Sequence, residues 1–299
     1  MNRQMISLIK RVFGLYSSQT LSMFNVIKKI HLKLGHFVFR KKYGTKEIID
    51  SLMAVGICQG DNVFIHSSWD EFYNYQGNVE ELIKAIVDYI GPQGTVAMPA
   101  IPFIRKRLFD VRKTVTKAGI LPESFRKYKG VERSPNVRHS VCAFGPLAHD
   151  IVCTHNMSKI RFDENSPFYK MCTHNFKVVS LGLPTYFLGT IIHCVEATMY
   201  KELPYFKSFY DFNAPLVEFR YIDALGEEQV YYEIKDALHP RGNTLRSQRI
   251  INRYFDKSKL NKTRISNLQI GCSESGYVYK RLCELAKKGV IIYEWPKIK

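Results

Sequence analysis

Thr190, His193 and Glu196 follow one another at intervals of three residues. If a helix begins near Thr190, the three side chains share one face of its first turns. An imidazole beside a carboxylate is held in one tautomer and its protonated form is stabilised, which suits it to take a proton from a nucleophile. Cys194 lies about 100° around such a helix and is off that face. The same His–Glu spacing also occurs as an ordinary helix-surface ion pair, so spacing alone leaves both readings open. A metal reading has less support, because this segment offers two ligands and a third has to come from His66 or His139. Polar side chains also cluster at predicted strand ends and turns: His66-Ser67-Ser68, Arg133-Ser134 and His139-Ser140. Ligands of open α/β sheets gather at the C-terminal ends of strands, although hydroxyls in turns also serve to satisfy the backbone.

The elements that must carry these groups read as α/β. A helix is predicted from Thr45 to near Gly56, then a strand at Asn62–His66. Asn78 with Glu81 opens a second helix, closed by Gly91, and Thr95–Met98 returns as a strand. Strands are predicted at Ser140–Phe144 and Lys177–Leu181, helices at 146–153 and 190–202, and an antiparallel hairpin over 216–232. A helix at 274–287 and a strand at Val290–Tyr293 complete the pattern. The expected fold is thus a mixed sheet with flanking helices plus a small antiparallel β element, over residues 45–299.

A 299-residue chain with 45% hydrophobic residues builds a real core, which excludes global disorder. Seven scattered cysteines form no Cys-x-x-Cys pair and predict reduced, mostly buried thiols. Walker A and Gly-x-Gly-x-x-Gly sequences are both missing, so neither a P-loop nor a dinucleotide fold has direct support. Net charge is +17, and two blocks supply it: residues 1–46 contribute +10 and residues 241–266 contribute +7. The first block, with its core at 1–44, reads as a basic amphipathic extension (Leu8, Ile9, Val12, Phe13, then Phe24, Ile27, Ile30, Leu34, Phe37 and Val38). It is suited to anionic lipid, to the protein body or to a second subunit. The second suits phosphates, those of coenzyme A included. Nucleic acid is disfavoured, since the block is poor in aromatic residues, Tyr254 among the few, and no recognition motif occurs. Without a long apolar run or a signal-peptide core, the expected location is cytoplasmic, with peripheral contact at the inner membrane face through residues 1–44.

In order along the chain, Gly60–Ser68, Gly91–Pro99, Arg133-Ser134 with His139-Ser140-Val141 and Gly145, Ser166-Pro167, and Thr190, His193 and Glu196 resemble the antibiotic N-acetyltransferase family. Its best-known members are the aminoglycoside 3-N-acetyltransferases. The likeness runs from Thr45 to Met199 and more loosely to the C-terminus. It implies a fold outside the GCN5 type and metal-free acetyl transfer from acetyl-CoA to an amine. It further implies coenzyme A contacts from His66, Ser67, Ser68, Arg133, Ser134 and Ser140, activation of the amine by His193 and Glu196, and an oxyanion held by Thr190 or a nearby backbone N–H. Asn136-Val137 departs from the family's usual His-Pro, and Asp163-Glu164-Asn165 stands where a Gly is common. A strongly basic chain suits an anionic acceptor better than a polycation, which points to a nucleotide-linked amino sugar of surface polysaccharide synthesis. Modification of aminoglycoside antibiotics and a basic nucleic-acid-binding role are the alternatives.

Overall fold

The computed structural model describes residues 23–104, 108–183, 188–237 and 244–293. Its strands are β1 (Asn62–Ser67), β2 (Thr95–Pro99), β3 (Phe109–Asp110), β4 (Glu132–Arg133), β5 (Val141–Phe144), β6 (Lys177–Leu181), β7 (Tyr210–Asp211), β8 (Val217–Ile222), β9 (Glu228–Glu233), β10 (Lys235–Asp236), β11 (Leu260–Ile265) and β12 (Leu268–Glu274). The helices are α1 (Met23–Val38), α2 (Thr45–Ala54), α3 (Val79–Ile90), α4 (Ile120–Arg126), α5 (Ala148–Val152), α6 (Pro167–Thr173), α7 (His193–Met199), α8 (Pro204–Lys207), α9 (Thr244–Tyr254) and α10 (Ser275–Lys287).

Seven strands form a mixed sheet in the order β11-β12-β6-β1-β2-β5-β4. Its centre is parallel, with β1 between β2 and β6, and antiparallel strands flank it on both sides. Strand alternation divides the core in two. Val63 and Ile65 face α2, α3 and α4, whereas Phe64 and Val178 face α5, α6, α7, α9 and α10. The predicted hairpin is β8–β9, joined by β3 through a small cluster of Phe109, Val111, Tyr221 and Tyr231.

Local signals set the β1–α3–β2 unit. The Asn78 side chain accepts from the Glu81 backbone N–H at 2.8 Å, and Gly91 ends α3 at φ 74°. Other boundaries shift from those predicted. Gly44, not Thr45, caps α2, because the Glu47 carboxylate accepts the Gly44 N–H at 2.9 Å while the Thr45 hydroxyl turns to Tyr75 and Glu81. The predicted helix 190–202 is a 3-10 turn, Thr190–Ile192, leading into α7.

Among the described residues Val290–Tyr293 forms no strand, and Tyr293 alone makes an isolated bridge. Gly289, at φ 75°, turns the chain after α10, and the segment runs back with Ile291, Ile292 and Tyr293 buried against helices. The carbonyl of Ile291 accepts from Arg246 Nε at 2.9 Å. An apolar run is therefore buried here mainly by side chains packed against helices.

Of the predicted amphipathic extension, residues 1–22 lie outside the described residues; α1 is its second half. All seven cysteines are free thiols, four of them buried. Among the described residues, no helix is long and apolar enough to cross a membrane.

Candidate active site

Because α7 begins at His193, Glu196 falls one turn later on the same side. His193 Nδ1 lies 3.1 Å from Glu196 Oε1. Glu196 is 7% exposed, and its second oxygen, Oε2, is buried with no hydrogen-bond partner among the described residues. Both residues line a cavity of about 700 Å³ beyond the C-terminal end of β2, where Ile101–Ile104 form one wall. That volume is in the range of small-molecule sites. Thr190, predicted on the same face, opens the preceding turn and is not among the residues that line the cavity.

Aromatic rings frame the imidazole. Phe162 stacks on His193 with centroids 4.9 Å apart and planes at 26°. On Nδ1 the hydroxyl of Tyr293 also sits, at 2.9 Å. A second imidazole, His139, lines the cavity with its ring 4.9 Å from Phe162. Burial, followed by the positive charge of Arg161, pushes its pKa down to about 2, so it stays neutral at physiological pH.

Three cations, Lys117, Arg138 and Arg161, line the same cavity. The end of β9 and the following β10 supply the anchors of the two arginines from behind. Asp236 pairs with Arg138 at 2.7 Å and with Arg161, and Glu233 lies 3.6 Å and 3.7 Å from the two guanidiniums. Burial pushes the Glu233 carboxyl up, while for Asp236 the two guanidiniums outweigh burial and hold it low. Asn136, the departure from the family's usual His, has a task here. Its Oδ1 accepts from the backbone N–H groups of Arg138 and His139 at 3.0 and 2.8 Å, which shapes the loop that aims both side chains at the cavity.

The remaining predicted site residues occupy other positions. His66 points to the sheet face that carries Phe64, under Gly189, and burial lowers its pKa to about 3. Ser67 and Ser68 are half-buried at the end of β1, next to Leu181. Arg133, Ser134 and Ser140 are buried together. The guanidinium of Arg133 donates to Ser140 Oγ at 3.1 Å, to the Ala100 carbonyl at 2.6 Å and to the Thr114 carbonyl. Ser134 Oγ meets His155 Nδ1 at 2.9 Å. These donors are spent on the protein's own atoms and hold the 134–140 loop. One strand over from His66, a second cavity of about 300 Å³ is lined by Ser180, Lys262, Arg264 and Gly271, which brings the second basic block to the same sheet face.

Sequence reasoning missed Phe162, Tyr293, Arg138, Arg161 and Lys117. Arg138 alone carried a local signal, its place between the two polar pairs. Among the described residues, no three His, Cys, Asp or Glu side chains gather to hold a metal ion.

The sequence model described as aminoglycoside 3-N-acetyltransferase matches residues 64–260. The chain is 25% identical over 186 residues to the SPbeta prophage-derived aminoglycoside N(3')-acetyltransferase-like protein YokD of Bacillus subtilis, covering 54% of this chain and 66% of that protein. It is 26% identical over 177 residues to aminoglycoside N(3)-acetyltransferase III of Salmonella sp, covering 52% and 59%. The matches thus span about three fifths to two thirds of these relatives' own length. Among solved structures, AAC-IIIb in binary complex with CoASH superposes with a TM-score of 0.67 at 18% identity, covering 86% of this chain and all of that one. A mutant of AAC(3)-IVa in complex with a gentamicin gives 0.68 at 19%, covering 86% and 94%. These likenesses establish the fold.

Proposed function

Since the chain belongs to the aminoglycoside 3-N-acetyltransferase family, we propose that it transfers an acetyl group from acetyl-CoA to the amine of an amino sugar, without a metal, at the His193–Glu196 pair. One observation carries the reading: a His–Glu pair lining a cavity of about 700 Å³, with a buried carboxylate oxygen left without a partner among the described residues. With Nδ1 occupied, Nε2 is the nitrogen left to take a proton from the attacking amine. The proposed oxyanion donor is Thr190 or a backbone N–H of its turn.

Coenzyme A is proposed to approach along the edge formed by Ser67 and Ser68. Lys262 and Arg264 in the second cavity suit its phosphates. Arg133, Ser134 and Ser140 then act on it indirectly, by fixing the 134–140 loop, and His66 by supporting the Gly189 turn.

For the acceptor, Glu196 is the one carboxylate among the lining residues, against Lys117, Arg138 and Arg161. Although Asp236 and Glu233 partly offset the two guanidiniums from behind, this lining favours an amino sugar that carries an acidic group, such as a nucleotide-linked one, over a polycation. The relatives' names favour an aminoglycoside, and give no support to a role in polysaccharide synthesis. Release of thiol from acetyl-CoA, measured against aminoglycosides, nucleotide-linked amino sugars and other amines, separates these readings. Acceleration by none of the amines overturns the proposal. Membrane-surface contact through α1 is a separate part of the proposal, supported by the exposed Ile30, Leu34, Phe37 and Val38 beside Lys33 and Arg40.

A further inference from the structure

Tyr293 lies outside the segment matched by the family's sequence model, 100 residues along the chain from His193, yet its hydroxyl oxygen is 2.9 Å from His193 Nδ1. The same nitrogen faces Glu196 Oε1 at 3.1 Å. A carboxylate can only accept, so Nδ1 must carry the hydrogen for that bond to exist, and the phenol oxygen beside it is then a second acceptor for the same N–H. The alternative, a phenol donating to a bare Nδ1, would place the hydrogen on Nε2 and remove the lone pair that the amine needs. Tyr293 also lies near-parallel to the imidazole, at 20° and 6.2 Å between centroids, with Phe162 stacked on the ring as well.

The segment that delivers it is well held. Tyr293 is 5% exposed, follows the buried Ile291 and Ile292, and packs edge-on against Phe209. Burial and the Glu196 carboxylate keep the phenol protonated well above its ordinary range.

We infer that Tyr293 is a positioning residue for His193: its hydroxyl and ring hold the imidazole with the hydrogen on Nδ1 and the lone pair on Nε2, and Glu196 completes the hold. The inference rests on His193 being the base proposed above.

The test uses the full chain with Tyr293→Phe, which keeps the ring and removes the oxygen, and Tyr293→Ala, which removes both. Tyr293→Phe is expected to melt like the parent, to keep KM for both substrates, and to lose about tenfold in kcat, the worth of one hydrogen bond. Nitrogen NMR of labelled His193 is expected to show mainly Nδ1–H in the parent and a mixture of tautomers in Tyr293→Phe, with kcat lower again in Tyr293→Ala. Parental kcat and tautomer ratio in Tyr293→Phe overturn the inference, as does a variant whose only defects are a lower melting temperature and a higher KM. His193→Ala separates the two claims, because an active His193→Ala protein defeats the base itself, whereas an inactive one with a parental Tyr293→Phe defeats only the role of Tyr293.

Discussion

Asn136 Nδ2 donates to Glu233 Oε1 at 2.9 Å, joining the loop before β5 to the end of the hairpin 97 residues later. This one side chain links the loop that carries Arg138 to the strand whose Glu233 sits behind Arg138 and Arg161. Asn136→Ala leaves a buried carboxyl without its donor and frees the N–H groups of Arg138 and His139, a cost of about 1–3 kcal/mol. A lower melting temperature and a severalfold higher KM for the acceptor are expected, with a smaller change in kcat. Calorimetry and steady-state kinetics check both, and parental values for both contradict this role.

Two buried histidines, together with His139 at the cavity, set the acid stability. Burial lowers the pKa of His66 and of His155 from 6.5 to about 3. Well above pH 6.5 neither the folded nor the unfolded form of these groups is protonated, and they leave stability unchanged. Below it the unfolded chain takes up protons that the folded one refuses, so stability falls as pH falls toward 3, by up to about 2.7 kcal/mol per pH unit for the two together. Denaturant titrations between pH 6.5 and 4.5, above the range where most carboxylates titrate, should show the decline. A flat profile there contradicts the buried, neutral assignment.

Gly189 stands at φ 70°, and a Cβ there would lie 2.9 Å from His66 Nε2. Gly189→Ala therefore meets both an unfavourable backbone region and a fixed ring, at a cost of about 1–3 kcal/mol. As this residue precedes the turn that leads into His193, lower kcat is expected alongside the lower melting temperature. A melting temperature equal to the parent's would contradict the close approach.

Much of this was legible in the chain, for local reasons. Asn78, Glu81 and Gly91 are signals within one helix, and His193 and Glu196 meet because their spacing matches one helical turn. Tyr293 was illegible, since its contact with His193 depends on how α10 turns back across the core. Val290–Tyr293 has the composition of a strand whether backbone or side chains bury it. Arg133, Ser134 and Ser140 show the same limit, because polar residues in predicted turns read alike whether they face a ligand or, as here, the carbonyls and hydroxyls of their own chain.

The basic extension makes a salt-dependent prediction. Each Lys or Arg near anionic lipid adds about 1 kcal/mol, screened as salt rises. The full chain should sediment with anionic vesicles at low salt and be released at high salt, while a variant lacking residues 1–38, which keeps the core residue Tyr43 and the α2 cap Gly44, stays soluble, active and unbound. Equal vesicle binding with and without the segment contradicts the lipid reading, and aggregation or subunit dissociation of the truncated protein assigns the segment to packing instead.

The central claim is that His193 takes the proton from the acceptor amine, and the direct measurement is kcat of His193→Ala at neutral pH with acetyl-CoA affinity measured in parallel by calorimetry. A fall in kcat of about 10²–10⁴-fold with acetyl-CoA bound as tightly as by the parent is the predicted result. Turnover close to that of the parent would contradict it.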